Sequence, residues 1–316
     1  MTFQQLNYLV EISKCGSINK AAQKLFLSQS GISIAIKELE EELNITFFIR
    51  TNKGVTFTPE GKEFLSHAVS LLDSKKRLEK MYSENRSNAA NVYFSIATQR
   101  YPFVEQAFIK FVKAHDHETY RLQLKETSIE DVVDDISSHN ADIGIVSESD
   151  LTEKIIRKLL ESRELEFFPM FTVKPCVYIR KGHPLCSKRS LREEDLDNFP
   201  YITFEQSQGV AIDFSEECQL FSNNAPSQRI VINTRETALD MIAGSDAVTT
   251  GSGLLVEGIS PSGVVSIPLE GQPDIKLGYL LPYGTKLSPL AAEFTEILKD
   301  VIQESIKYTA SLNSEM

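Results

Sequence analysis

The apolar positions of residues 1–43 repeat at helical spacing and are interrupted twice. Gly16 is predicted to end a first helix, and Ser17 is a suitable cap for a short second one. Ser28 is a suitable cap for a third helix. The apolar residues are Phe3, Leu6, Leu9, Val10 and Ile12, then Ala21 and Ala22, and finally Ile32, Ile36, Leu39 and Leu43. Two short helices joined by about three or four residues predict a helix-turn-helix.

When the apolar stripe of the third helix is turned inward, a set of mostly polar side chains faces outward. Glutamine can make a paired hydrogen bond with adenine, serine can bind a base edge or a phosphate, and isoleucine can contact a thymine methyl group. The N–H groups at the helix start also favour a phosphate. A plain solvent-exposed face is the alternative interpretation. The predicted DNA contacts are Ser28, Gln29, Ser30, Ser33, Ile34 and Lys37.

Residues 46–57 read as strand, turn and strand. Arg50 and Lys53 lie near the tip of this predicted hairpin. A hairpin beside a recognition helix is a wing, and its cations can reach the DNA backbone or the minor groove. The alternative is a solvated hairpin with incidental charges. We add Arg50 and Lys53 to the predicted DNA contacts.

Residues 1–60 resemble, without insertion, the winged helix-turn-helix of LysR-type transcriptional regulators. Asn44 stands where the family usually has glycine, and asparagine is the next best residue for a left-handed helix end. The matching residues include Gly16-Ser17, Ala21-Ala22, Leu25, Ser28-Gln29-Ser30, Ser33, Ile36, Leu39-Glu40, Leu43, Phe47-Phe48, Arg50 and Thr56 to Gly61. The resemblance extends more loosely over the whole chain and implies a sequence-specific transcriptional regulator.

A long helix is predicted after the hairpin, beginning after Thr58 and running without a breaker. Phe64, Leu71 and Leu78 recur every seven residues. This stripe favours a partner helix, with packing against the chain's own C-terminal domain as the alternative. In the resembled family the helix forms an antiparallel pair within a dimer. We therefore expect a homodimer, or a tetramer of two dimers, on a roughly palindromic operator.

From residue 92 onward, strands and helices alternate, which is typical of an α/β sheet. The family resemblance implies two α/β lobes with a cleft between them, as in periplasmic solute-binding proteins. The expected fold is therefore an α+β multidomain chain. It comprises a winged helix-turn-helix (1–58), a linker and dimerisation helix (59–88) and an effector-binding domain (92–310), with lobe I at about 92–165 and 268–306 and lobe II at about 166–267.

Ligands of open α/β lobes bind beyond the C-terminal ends of strands, where helix starts converge. The polar residues expected there are Thr98, Gln99, Arg100, Ser147, Thr203, Glu205 and Thr249. Hydroxyls and an amide beside one arginine suit a small carboxylate or similar polar effector, although Glu205 would repel an anion. An effector with different affinities for two lobe arrangements would change the spacing of the DNA-binding heads, and with it DNA bending and access of RNA polymerase.

The net charge of the chain is −11, which taken alone argues against a polyanionic partner. Residues 1–37, however, hold four lysines and one glutamate, so the charge is unevenly distributed. No apolar run is long enough for a membrane span, and the start lacks a signal-peptide pattern. Four sparse cysteines without zinc or redox spacing fit a reduced compartment. We expect a cytoplasmic protein.

Other functional classes fit the sequence less well. No hydrolase, metalloprotease, phosphate-loop or dinucleotide motif is found, so neither an enzyme nor a cofactor is expected. The spacing of His115 and His117 points the two side chains apart and opposes a metal site. A solute-binding transport protein would need a signal peptide. A redox switch through Cys176, Cys186 and Cys218 is the alternative within the regulator class.

Overall fold

The computed structural model describes residues 1–51, 54–83, 91–116, 119–205 and 228–314. They form two compact units, an N-terminal unit of residues 1–90 with 138–140 and a C-terminal unit made of the rest. Each unit encloses its own hydrophobic core.

The described part of the N-terminal unit consists of helices and one two-stranded hairpin. The predicted caps Ser17 and Ser28 are confirmed, because each accepts a hydrogen bond from the backbone N–H three residues on. The elements are α1 (Phe3–Cys15), α2 (Ile18–Lys24), α3 (Gln29–Leu43), β1 (Phe48–Thr51), β2 (Gly54–Phe57) and α4 (Pro59–Ser83). The helix-turn-helix with a wing is thus confirmed.

Two left-handed residues end the first and third helices. Gly16 has φ 62° and its N–H donates to Ile12 O. Asn44, with φ 53° and ψ 40°, ends α3 in the same conformation, as expected for the residue that replaces the family's glycine. The entry and exit of the helix-turn-helix are therefore encoded locally.

The apolar stripe of α4 is divided between two environments. Ala68 and Leu72 are buried against Leu6 of α1, whereas the side chain of Leu71 is 45% exposed. Part of the predicted stripe therefore packs against α1, which contacts α4. The rest, including Leu71, is exposed to solvent. Leu78 has no described side chain, and the predicted helix end at residue 88 lies outside the described residues.

The C-terminal unit alternates strands and helices as predicted. Its strands are β3 (Asn91–Thr98), β4 (Thr119–Glu126), β5 (Ile143–Ser149), β6 (Leu165–Val173), β7 (Cys176–Arg180), β8 (Tyr201–Phe204), β9 (Arg229–Ile232), β10 (Thr249–Gly251), β11 (Val264–Pro268) and β12 (Ile275–Pro282). Its α-helices are α5 (Pro102–Ala114), α6 (Ile129–Ser137), α7 (Glu153–Ser162), α8 (Arg235–Gly244) and α9 (Pro289–Ser314).

The strands form two sheet regions, one in each lobe. The lobe I sheet has the order β4-β3-β5-β12-β6, in which β3 pairs with β4 and β5 in parallel and β12 runs antiparallel to both its neighbours. In lobe II the order β10-β7-β11 is antiparallel, and the parallel pair β8-β9 joins it through a bridge between Tyr201 and Val248. The expected two-lobed α/β architecture is confirmed.

The boundary between the lobes differs from the expected one. We placed the start of lobe II near residue 166, but β6 (Leu165–Val173) pairs with β12 along its whole length in the lobe I sheet. The chain therefore first crosses between the lobes at residues 174–175 and returns between β11 and β12. An apolar strand shows its burial in its sequence, but not the sheet it joins.

The last helix, α9, contacts both lobes. Its first half packs against α5 of lobe I, while Tyr308 and Leu312 join the core of lobe II. Thr309 Oγ1 accepts a hydrogen bond from Leu255 N at 2.9 Å. Lobe I was expected to end at about residue 306, but α9 continues to Ser314, because lobe II covers its last apolar residues. Within the described ranges, no helix combines the length and hydrophobicity that a bilayer crossing needs.

Candidate DNA-binding surface and ligand cavity

Most of the predicted DNA contacts on α3 lie on the face opposite the core and are exposed to solvent. Ile32, Ile36 and Leu39 are buried. This leaves Ser28, Gln29, Ser30, Ile34 and Lys37 exposed. The helix is held in place by α1, because Gln5 Nε2 donates to Ala35 O at 3.1 Å. The exposed face combines an amide, hydroxyls, one apolar group and one cation, which suits a DNA major groove.

Two serines of this surface have restricted roles. The hydroxyl of Ser28 accepts from Gly31 N at 3.1 Å as the helix cap and from Ser30 Oγ at 3.3 Å, so it retains only its own proton for an external partner. The Ser33 oxygen is buried and makes no hydrogen bond to the described residues. Ser33 borders the buried stripe beside Ile32, which corrects our expectation that its hydroxyl faces outward.

The wing is only partly described. Arg50 pairs with Val55 across the hairpin, but its side chain is not described, and Lys53 lies outside the described residues. The hairpin is fixed to the helix-turn-helix by a hydrogen bond of 3.1 Å from Val55 N to Gly16 O. The wing is thus attached to the C-terminal end of α1, the helix that also holds the recognition helix through Gln5.

The sequence reasoning overlooked Phe26, in the turn between α2 and α3. Its φ is 56°, and its side chain is almost completely exposed. An aromatic residue in this conformation is uncommon, since glycine or asparagine is preferred there. Two residues before the cap of the recognition helix, the chain thus presents a large apolar side chain to solvent.

The C-terminal unit contains a cavity of about 50 Å³ between β8, β10, α8 and the start of α5. Its wall is mainly apolar, with two arginines and several hydroxyls. It is lined by Arg100, Pro102, Tyr178, Ile202, Thr203, Phe204, Arg235, Ala238, Leu239, Thr249, Thr250, Leu254, Leu255 and Ser260. Of the predicted effector contacts, Arg100, Thr203 and Thr249 line this cavity.

Thr98, Gln99 and Ser147, also predicted effector contacts, do not line the cavity. Thr98 Oγ1 donates to Gln99 O at 2.8 Å. Gln99 Oε1 accepts from Ser147 N at 2.9 Å and from Tyr101 OH at 2.8 Å. All four residues are buried. Thr98 ends β3 and Gln99 follows it, as predicted, whereas Ser147 lies within β5 rather than after it. Glu205 is exposed and does not line the cavity either.

Arg235, the first residue of α8, is the main cavity residue that the sequence reasoning missed. Its side chain is only 7% exposed although it carries a charge. Nη2 donates to Glu105 Oε2 and, at 3.1 Å, to Glu236 Oε1, while Nη1 lies 3.3 Å from Glu126 Oε1. Glu105 and Glu126 belong to lobe I, so Arg235 connects the two lobes.

Arg100 makes the reciprocal connection. It follows β3 of lobe I, and its Nε donates to Asn233 O of lobe II at 3.2 Å. Its guanidinium lies 5.0 Å from the ring centre of Phe204, a cation–π contact. We call Arg100, Glu105, Glu126 and Arg235 the cross-lobe cluster.

Burial and charge act against each other in this cluster. Burial raises the pKa of Glu126 above its ordinary value, although Arg235 beside it acts in the opposite direction. Burial also works against the charge of Arg235, but the carboxylates of Glu126 and Glu105 outweigh it and raise the pKa of this arginine. Burial lowers the pKa of Arg100. The cluster is therefore a partly desolvated network whose charges depend on one another.

The described residues offer no group of side chains suited to a metal ion. His115 is buried, with Nδ1 3.0 Å from Phe111 O, whereas His117 lies outside the described residues. Cys176 and Cys186 each direct their sulfur at a nearby backbone carbonyl, and Cys218 lies outside the described residues.

Two family models match the chain, one in each unit. Residues 3–62 match the model described as "Bacterial regulatory helix-turn-helix protein, lysR family". Residues 106–303 match the model described as "LysR substrate binding domain". The second match alone covers more than half of the chain.

Similar proteins have the same organisation. The transcriptional dual regulator GltC of Bacillus subtilis is 28% identical over 94% of this chain and 96% of its own length. The HTH-type transcriptional regulator SsuR of Burkholderia cenocepacia is 29% identical over 65% of each chain. The crystal structure of full-length CbnR complexed with its target DNA aligns with a TM-score of 0.60 at 17% identity, over 95% of this chain and 100% of that one. This last likeness shows a common fold.

Proposed function

Because this chain belongs to the LysR family of transcriptional regulators, we propose that the exposed face of α3 reads its DNA sequence. The observation that carries this assignment is the exposure of Gln29 and Lys37 opposite a fully buried apolar stripe. Ser28, Ser30 and Ile34 complete the surface, and Arg50 and Lys53 of the wing add backbone contacts. Ser33 is left as a residue at the edge of this surface.

We further propose that the chain works as a dimer, or as a tetramer of two dimers. The exposed Leu71 on α4 supports a partner helix along the linker. The functional divisions are then 1–58 for DNA binding, 59–88 for dimerisation and 92–310 for the effector. Two heads related by two-fold symmetry require a roughly palindromic operator.

The effector site proposed here is the cavity lined by Arg100, Thr203 and Thr249. Its apolar wall and arginines favour a small molecule with one carboxylate and a short apolar part. Binding changes the balance between lobe arrangements, and so the spacing of the heads and the access of RNA polymerase. We propose no catalytic activity, and we assign the cytoplasm as the site of action.

The test of the DNA-binding proposal is a gel shift and footprint of the full-length protein on the DNA upstream of its own gene. Random DNA serves as the reference, and the measurement is made at two salt concentrations. A protected and roughly symmetric site is the expected result. If only nonspecific binding is found there, selection from a random-sequence library decides the question, and failure to enrich any motif would refute the proposal.

Gln29→Ala is expected to weaken binding to the specific site by about 1–3 kcal/mol and to relax base preference at one position. The side chain is exposed at the start of α3, so its loss leaves the core unchanged. Gel-shift titrations on operator and random DNA measure the effect. Equal losses on both kinds of DNA would contradict base reading by Gln29.

Lys37→Ala is the matched variant on the same face. Lys37 is exposed and lies 3.4 Å from Glu41, an ion pair that stabilises the helix little. Loss of a phosphate contact is expected to weaken binding similarly on all sequences and to reduce the salt slope by about 1. The two variants therefore separate sequence reading from backbone attraction.

A further inference from the structure

The cross-lobe cluster fixes the relative position of the lobes at the start of α8. Arg235 reaches from lobe II to Glu105 and Glu126 of lobe I. Arg100 reaches from lobe I to the carbonyl of Asn233, two residues before Arg235. Separating the lobes at this point would leave a buried guanidinium without these carboxylates, so the contacts must be replaced rather than simply broken.

The same cluster lies on the wall of the cavity, which both arginines line. Arg235 Nη1 and Glu126 Oε1 are buried and make no hydrogen bond to the described residues, although they form an ion pair. Arg235 Nη1 therefore remains a buried donor on a residue that lines the cavity, and a ligand there can accept a hydrogen bond from it. A ligand that binds Arg100 or Arg235 in the cavity therefore contacts the groups that connect the lobes.

The three carboxylates around Arg235 are not equally able to leave it. Glu126 is 26% exposed and Glu105 is 36% exposed, so Glu105 is the cross-lobe partner with better access to water. Glu236 is 67% exposed but belongs to α8 itself, so it makes no connection between the lobes. Of the two cross-lobe carboxylates, that of Glu105 can therefore be hydrated more easily once it leaves Arg235.

Glu105 is held by Nη2, so an incoming carboxylate that binds Nη1 and Nη2 together takes the place of Glu105 without changing the charge around Arg235. A cation would add a positive charge beside two arginines, and a neutral ligand would leave Arg235 with one carboxylate fewer. Exchange of one carboxylate for another therefore has the smallest electrostatic cost. The arrangement selects for an anionic ligand through the contact that it replaces.

We propose that a carboxylate ligand in the cavity displaces Glu105 from Arg235 and thereby releases one connection between the lobes. This inference rests on the proposed effector site and adds its means of regulation. Binding and lobe connection are then opposed, so each weakens the other by the same factor. Glu105 acts as an internal competitor that lowers the affinity for the ligand.

Butyrate is the probe that fits these dimensions. One water-sized group occupies roughly 10–15 Å³ measured in this way, so a cavity of about 50 Å³ accepts the three-carbon tail of butyrate, while its carboxylate takes the place that Glu105 leaves. Its three-carbon tail then lies against the apolar wall while its carboxylate meets Arg235. Butyramide has nearly the same shape without the charge.

The experiment compares full-length wild-type protein with Glu105→Gln and Glu236→Gln by titration calorimetry with butyrate and butyramide. Glu105→Gln is expected to bind butyrate about tenfold more tightly than the wild type. Glu236→Gln, which removes a partner of Arg235 without removing a lobe connection, is expected to stay within twofold of the wild type. None of the three proteins is expected to bind butyramide.

Hydrogen exchange of the backbone amides of residues 229–234 gives a second readout. Exchange there is expected to be faster in Glu105→Gln than in Glu236→Gln, because one lobe connection is lost. Unchanged or weaker butyrate binding by Glu105→Gln, or equal effects of both variants, would overturn the proposal. Operator gel shifts on the same samples distinguish failure of this proposal from failure of the proposed function. If the protein still binds its operator specifically but Glu105→Gln does not bind butyrate more tightly, only the role of Glu105 is refuted.

Discussion

Arg235→Gln is expected to lower the free energy of unfolding by about 3 kcal/mol, the lower end of the cost of breaking a buried ion pair, because the carboxylates left behind are partly exposed. The substitution leaves the carboxylates of Glu105 and Glu126 at the lobe boundary without their cation. Urea denaturation of the full-length chain measures the loss. Glu236→Gln is the control, because its side chain is exposed, and it should change stability by less than about 1 kcal/mol.

The loss in Arg235→Gln is also expected to depend on pH. Burial raises the pKa of Glu126 above the ordinary value of 4.5, and removal of Arg235 raises it further. A carboxyl group with a raised pKa in the folded state binds its proton more tightly there than in the unfolded chain. Stability is therefore retained at low pH and lost as pH rises from 4.5 through the raised value.

Denaturation at pH 5 and pH 8 tests this sign. The difference between wild type and Arg235→Gln should be larger at pH 8, where the unpaired carboxylate of Glu126 must be charged. A deficit of equal size at both values would show that Arg235 stabilises the lobes by packing rather than by charge.

Gly61→Ala is expected to destabilise the N-terminal unit by about 3 kcal/mol, at the upper end of the cost of overpacking. A Cβ atom on Gly61 would lie 2.0 Å from Phe47 O, a backbone atom that cannot move alone. Phe47 O also accepts a hydrogen bond from Thr58 N at 3.0 Å, so the methyl group would press directly on the junction of wing and linker helix. Thermal unfolding followed by circular dichroism, with operator gel shifts, measures both effects.

Gly244→Ala is the control for this substitution. Gly244 ends α8, and an added Cβ would have no atom within 4 Å. Alanine there is expected to raise stability by about 0.4–1 kcal/mol through the unfolded chain. If both alanine variants change the free energy of unfolding by the same amount, the close approach of α4 to Phe47 does not contribute to stability.

The sequence predicts best what is encoded locally. The caps Ser17 and Ser28 and the left-handed ends at Gly16 and Asn44 depend on neighbours within a few residues, and all four were predicted. The outward face of α3 followed from the same periodicity. Ser33 is the exception, because it lies at the edge of the stripe, where a small rotation decides whether a hydroxyl is buried.

Features that depend on distant partners were not predictable in this way. Whether β6 joins lobe I or lobe II depends on β12, about a hundred residues further along the chain. Arg235 appears in the sequence only as the first residue of a capped helix, and its partner Glu105 is 130 positions away. Gln99 had the right position for a ligand contact, but a backbone N–H on the neighbouring strand already uses its oxygen.

The course of α9 limits the kind of movement that the lobes can make. A helix anchored to α5 in its first half and to the core of lobe II by Tyr308 and Leu312 resists bending, since its backbone hydrogen bonds would have to stretch. A wide clamshell opening would pull one of these anchors loose. Rotation about the axis of α9, or a short shear along it, keeps both in place. We therefore expect the lobes to rotate relative to each other about α9. Such a rotation changes the angle between them by a small amount and does not open a wide gap.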